Sequence, residues 1–152
     1  MSTSIETLEF NNHEGEALWS QFSRTDDAQG TLVFFHGFPG SSDYIVSQRM
    51  KDFSRNSYNV LRLDFSGSGR SKGKFENKTM TKEAKEVITA FEFATKLTPN
   101  LPVSLVGHST GAIDVALSFS HFPSTLLEQI HSVILLGGVS DLKKGISYDF
   151  SE

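Results

Sequence analysis

The sequence has no cysteine, which excludes a disulfide framework, a thiolate metal site and a cysteine nucleophile. It has no apolar run near the ~18 consecutive residues that a membrane span needs. The opening MSTSIETLEF lacks a basic segment followed by an apolar one. It therefore does not read as a secretory signal, and the expected location is the cytoplasm. Positive charge is not in excess: 14 Lys and Arg stand against 18 Asp and Glu, a net charge of −4. A balance this mildly acidic argues against a nucleic-acid partner and against a membrane-surface role. No internal repeat, low-complexity tract or linker-like shift in composition divides the 152 residues, so residues 1–152 read as one domain or part of one.

What is present suffices for a core. Hydrophobic residues make up 38% of the chain, with 13 Phe. Short apolar strand signals alternate with helical ones, which argues for an α/β fold with a mainly parallel sheet. Residues 3–10 and 16–22 are weak strand candidates, joined by a polar turn from Asn11 to Gly15 into an opening hairpin. Thr31 to Phe35 (TLVFF) is a continuous apolar run of the kind buried on both faces of a sheet. Residues 43–55 read as helix with Ile45, Val46, Met50 and Phe53 on one side, and Tyr58 to Phe65 as the next strand. Over residues 79–97, Ala84, Val87, Ile88, Phe91 and Ala94 form a stripe of helical period, and Pro99 follows as a stop signal. Pro102 to Val106 reads as a buried strand. Residues 110–120 read as helix with Ala112, Ile113, Ala116 and Leu117 apolar, and Ser132 to Leu136 as the last strand. Residues beyond Gly138 read as loop.

The segment that carries chemistry is Gly107-His108-Ser109-Thr110-Gly111. It fits G-x-S-x-G, and its context is the informative part: a strand signal runs into it and a helix signal runs out of it. A serine on so sharp a turn is held in strained backbone. Side chains two residues before and after it would collide, which is why Gly107 and Gly111 stand there. The helix that follows aims its free N–H groups at the same spot, so the N–H of Thr110 can stabilise an oxyanion. Two further segments accompany it. His36-Gly37-Phe38-Pro39-Gly40 follows the third strand, and its glycines let the backbone fold close to where a substrate carbonyl would lie. Asp64-Phe65-Ser66-Gly67-Ser68-Gly69-Arg70-Ser71 follows the fourth. It is not a phosphate loop: G-x-G-x-x-G would need glycine at position 72, which is Lys72, and G-x-x-x-x-G-K-[ST] occurs nowhere.

With these three segments the chain resembles the α/β-hydrolase family. Lys72 to Asn77 (KGKFEN), followed by a long helix, resembles the serine-aminopeptidase and acylglycerol-lipase-like branch. The resemblance implies a sheet of about six strands flanked by helices, cut short before the lid and before the last two strands of a family sheet of about eight. It makes residues 1–152 the N-terminal portion of a single α/β-hydrolase domain. It implies Ser109 as nucleophile, with the backbone N–H groups of Phe38 and Thr110 as oxyanion donors, a small-molecule acyl substrate, and no metal or cofactor. His36 is expected to brace its loop, and the stretch from Asp64 to Ser71 to shape a loop without a catalytic role.

A serine nucleophile needs a base and an acid, which in this fold follow it in the order Ser, Asp or Glu, His. The five histidines are His13, His36, His108, His121 and His131. His121, at the end of the helix leaving the elbow, and His131, at the start of the last strand, are the two that come after Ser109. Neither is expected to reach it. His108 is expected to face elsewhere, and His13 to lie in the opening turn. Asp141 follows the sixth strand, where some family members carry the acid, and reads here as a loop aspartate. The expectations are therefore a serine hydrolase of carboxylic esters whose histidine lies outside this chain, or a non-catalytic chain that pairs with a second polypeptide through its last strand. An acyltransferase using the same Ser109 intermediate fits the sequence equally.

Overall fold

In the computed structural model, which describes residues 3–138, six strands form one sheet in the order β1-β2-β4-β3-β5-β6. The strands are β1 (Thr3–Asn11), β2 (Ala17–Thr25), β3 (Thr31–Phe35), β4 (Asn59–Leu63), β5 (Val103–His108) and β6 (Ile130–Leu136). β1, β2 and β4 pair antiparallel, whereas β4, β3, β5 and β6 run parallel. The sheet is therefore mixed, with a parallel half that carries the site. The hairpin is longer than its sequence signal, in register from Thr3 opposite Thr25 to Asn11 opposite Ala17.

β3 is buried along its whole length, and its alternation sends side chains to two cores. Val33 and Phe35 pack with Leu61, Leu63, Leu105, Val87 and Phe91 on one face. Leu32 and Phe34 pack with Val60, Val106 and Met50 on the other. The first face is covered by α2 (Met80–Leu97) and α3 (Thr110–Ser118), and the second by α1 (Ile45–Met50). α2 buries Ala84, Val87, Phe91 and Ala94, the stripe its sequence period marks, and Thr79 caps it by accepting the Lys82 N–H at 3.1 Å.

Two helices differ from expectation. The helix expected over 43–55 is a short α1 followed by a 3-10 turn, Lys51–Asn56, stopped by Ser57 in the left-handed region at φ 66°. Ile45 and Phe53 are exposed, and of the four apolar residues on that side Met50 is the one deeply buried. α3 does not bury all of the apolar residues named for it. Gly111, Ala112, Asp114, Val115 and Ser118 are buried, while Ala116 and Leu117 are exposed. A buried aspartate broke the apolar pattern there. A one-turn helix, α4 (Ser124–Leu127), precedes β6 and carried no periodic signal.

The connections leave β3 toward β4 on one side, and β5 lies on the other. This reversal opens a crevice beyond the carboxyl ends of β3 and β5, where open α/β sheets bind ligands. The loop after β3 and the turn after β5 form its two walls.

Candidate active site

Ser109 lies between the end of β5 and the first residue of α3, at φ 56° and ψ −123°. This is a conformation that non-glycine residues rarely adopt. Close packing around the turn explains its residues. A Cβ on Gly107 would sit 2.5 Å from the Gly111 carbonyl oxygen, and one on Gly111 would sit 2.5 Å from the Phe35 carbonyl oxygen. The Ser109 N–H donates to the Leu136 carbonyl at 2.9 Å, so β6 holds the turn from the far side. Thr110 opens α3, and its N–H therefore has no acceptor within the helix.

The loop after β3 meets this turn closely. A Cβ on Gly37 would fall 2.7 Å from Ser109 Cβ. The Phe38 N–H is not free but donates to Thr110 Oγ1 at 2.6 Å. Ser109, Phe38 and Thr110, the three residues singled out in the sequence, are thus brought together. His36 is buried with both ring nitrogens engaged. Nε2 accepts the Phe65 N–H at 3.1 Å, and Nδ1 faces the Gly37 carbonyl at 2.9 Å. Burial pushes its pKa down to about 4, so the ring is neutral and Nδ1 is the donor. It braces two loops.

Two charged residues hold this region: Asp64, the start of the stretch expected to shape a loop, and Arg62, which carried no functional label in the sequence. Asp64, fully buried at the end of β4, accepts the Ser42 N–H at 2.6 Å and the Arg70 N–H at 2.9 Å. It thereby ties the loop after β3 to the glycine-rich loop after β4. Arg62, also buried, donates to the carbonyls of Ser42 (2.8 Å) and Ser47 (3.1 Å) and to Gln21 Oε1. Its pKa is lowered by burial. The available signal was two charged residues flanking Leu63 inside an otherwise apolar strand, a pattern that marks inward-facing charge.

A pocket of about 130 Å³ opens beside Ser109, bordered by His36, Gly37, Tyr44, Val46 and His108. Phe38 and Phe75 stand exposed at its rim with ring centroids 5.7 Å apart. His108 was expected to face elsewhere. It borders the same pocket as Ser109, yet no hydrogen bond joins them. His131 borders a different hollow, with Gly30, Thr31 and Pro102, at the opposite end of the sheet. His121 is exposed past the end of α3, and His13 sits in the hairpin turn beside Glu14 at 3.6 Å. Asp141 lies outside the described residues. Among the described residues no group of three or more histidine or carboxylate side chains is placed to hold a metal ion, and no helix is long and apolar enough to cross a membrane.

Comparison with known proteins places the fold and the family. The family model described as serine aminopeptidase, S33, matches residues 26–148. Among solved structures, an esterase of Pyrococcus furiosus superposes with a TM-score of 0.80 at 19% identity, covering 95% of this chain and 58% of the esterase. Est1E of Butyrivibrio proteoclasticus, solved with ferulic acid bound, gives a TM-score of 0.79 at 21% identity, covering 93% and 56%. The α/β hydrolase GrgF of a Penicillium species gives 0.77 at 19% identity, covering 93% and 47%. The chain thus spans about half the length of these structures. No curated protein matches it in sequence. The chain belongs to the serine aminopeptidase (S33) family of α/β hydrolases.

Proposed function

We propose that this chain carries the nucleophile and oxyanion half of a serine hydrolase that cleaves carboxylic esters of small molecules. The observation that supports this reading most is the backbone of Ser109, held at φ 56° on a strand-to-helix turn beside the N–H that opens α3. Strain of this kind costs about 1–3 kcal/mol and persists where the surrounding structure enforces it. Ser109 Oγ would attack the ester carbonyl and form an acyl-enzyme as the alcohol leaves. Water would then release the acid. The oxyanion would form on the side of Phe38 and Thr110, in the crevice at the carboxyl ends of β3 and β5. The base lies outside these 152 residues in this reading, either further along the polypeptide or on a second chain, because no histidine of this chain is hydrogen-bonded to Ser109. The cytoplasm is the proposed location and no cofactor is invoked.

The test is covalent labelling of the 152-residue protein with a fluorophosphonate, read by intact mass, with imidazole added as a substitute base. Wild type should take up one adduct, mapped to Ser109, faster with imidazole than without. Ser109→Ala should take up none. Equal labelling of both proteins would remove Ser109 as the nucleophile.

A second reading, docking to another polypeptide, is favoured by β6. Val133, Ile134, Leu135 and Leu136 are all exposed on that outer strand.

A further inference from the structure

The Phe38 N–H, assigned as an oxyanion donor, is already committed to the Thr110 side chain at 2.6 Å, at the short end of N–H···O distances. It is held there firmly. The loop that carries it is tied to Asp64 through the Ser42 N–H and to His36 through the Gly37 carbonyl. A hydroxyl that accepts a hydrogen bond keeps its own proton to give, and becomes a better donor for having accepted. Among the described residues nothing takes the Thr110 proton. Thr110 also follows Ser109 in the chain and opens α3, so its hydroxyl, in contact with the Phe38 N–H, and its backbone N–H both belong to the turn that carries the attacking residue.

We propose that the Thr110 hydroxyl is itself an oxyanion donor, set and polarised by the Phe38 N–H. The developing anion then meets an O–H and an N–H from the same residue, and Phe38 acts one bond further back. This rests on the reading of Ser109 as nucleophile. The contrary arrangement is a plug, in which the Thr110 side chain merely blocks the Phe38 N–H until substrate displaces it. The two make opposite forecasts for a residue of the same shape without the hydroxyl.

Phenylboronic acid provides the probe. Ser109 Oγ forms an O–B bond, the serine proton passes to the buffer, and boron becomes a tetrahedral anion that imitates the oxyanion. Binding to the 152-residue protein is read by ¹¹B NMR. Thr110→Val should weaken the adduct roughly 10- to 100-fold, the effect of one hydrogen bond to a charged group. Thr110→Ser, which keeps the hydroxyl, should bind within about threefold of wild type on the same argument. In ¹⁵N–¹H spectra the Phe38 amide proton should move upfield in Thr110→Val and return in Thr110→Ser. These spectra also report whether each variant is folded, and Thr110→Ala serves in place of valine if that variant is not. An adduct that needs Ser109 but is unchanged or tighter without the hydroxyl would overturn the donor and leave the nucleophile standing, as would an unmoved Phe38 amide. No adduct in wild type, or an undiminished one in Ser109→Ala, would overturn the nucleophile and the donor with it.

Discussion

At Ser109 stability and the proposed role as nucleophile pull in opposite directions. The residue occupies φ 56°, ψ −123°, where glycine is at ease and a side chain is not. Ser109→Gly should therefore stabilise the fold by about 1 kcal/mol: about 1–3 from relieved strain, less about 0.5–1 for glycine's greater freedom when unfolded. For a chain of this size that is a rise of roughly 2–4 °C in Tm. A melting curve at or below that of wild type would show that the turn is not strained. Gly37 makes the complementary point. Its missing Cβ would lie 2.7 Å from Ser109 Cβ and 3.1 Å from the His108 carbonyl oxygen, so Gly37→Ala must push the loop off the turn. Fluorophosphonate labelling of Ser109 should fall about 100-fold or more, on the scale of one lost oxyanion contact, while the circular dichroism of the fold is kept. The sequence disclosed the close packing at this turn well. Backbone that approaches so closely admits few residue types, and G-x-S-x-G and the loop after β3 record that restriction in the residues themselves. The contact of the Thr110 hydroxyl and the bonds of Arg62 were not legible, and Asp64 was legible only as the start of a loop-shaping stretch. Each depends on which distant backbone group folds against it, and residue identity does not encode that.

At the level of the elements, the contact between α2 and α3 contains an acid with nothing to hold it. Asp114 is buried, and neither of its carboxylate oxygens has a hydrogen-bond partner in the described structure. Burial, with Glu83 and Glu86 nearby and only Lys78 opposing them, pushes its pKa up to about 8 from 3.8. The folded chain thus keeps a proton on Asp114 that the unfolded chain releases near pH 4. As pH rises between those two values the unfolded state is favoured by about 1.4 kcal/mol per unit from this group. Above about pH 8 both states are ionised and the slope from this group ends. Asp114→Asn removes the titration. Its stability relative to wild type should grow from about pH 5 to about pH 8 and then level off, as read from urea midpoints at each pH. A difference independent of pH would mean that Asp114 is ionised in the native protein. This same residue made α3 hard to read. Its polar side chain lies on the buried face while the apolar Ala116 and Leu117 are exposed, so apolar character alone does not mark the face that packs. The α2 stripe, without such an interruption, was legible from its period alone.

For the whole molecule, the two outer strands of the sheet are built differently. β1 carries Glu6 and Glu9 among its polar residues, the kind of charge that keeps an edge from pairing with a neighbour. β6 reads IHSVILL, with no Lys, Arg, Asp or Glu. It is paired to β5 alone among the described strands, and Ile134 and Leu135 are 43% and 50% exposed. Successive residues face opposite sides of a sheet, so these two leave both faces of the strand apolar, beside an edge of backbone N–H and C=O groups that no described strand pairs. A surface of this kind joins other strands when it can. The 152-residue protein should therefore elute well above 16.8 kDa in size exclusion, increasingly so with concentration. Ile134→Lys together with Leu135→Lys places one charge on each face and should return it toward the monomer. Both positions lie on the outer strand, and neither side chain lines the pocket beside Ser109. The charged variant should consequently keep its fluorophosphonate labelling, which separates loss of association from loss of fold. A wild-type chain that stays monomeric at high concentration would show that this edge is not a pairing surface, and would remove the observation favouring a second polypeptide.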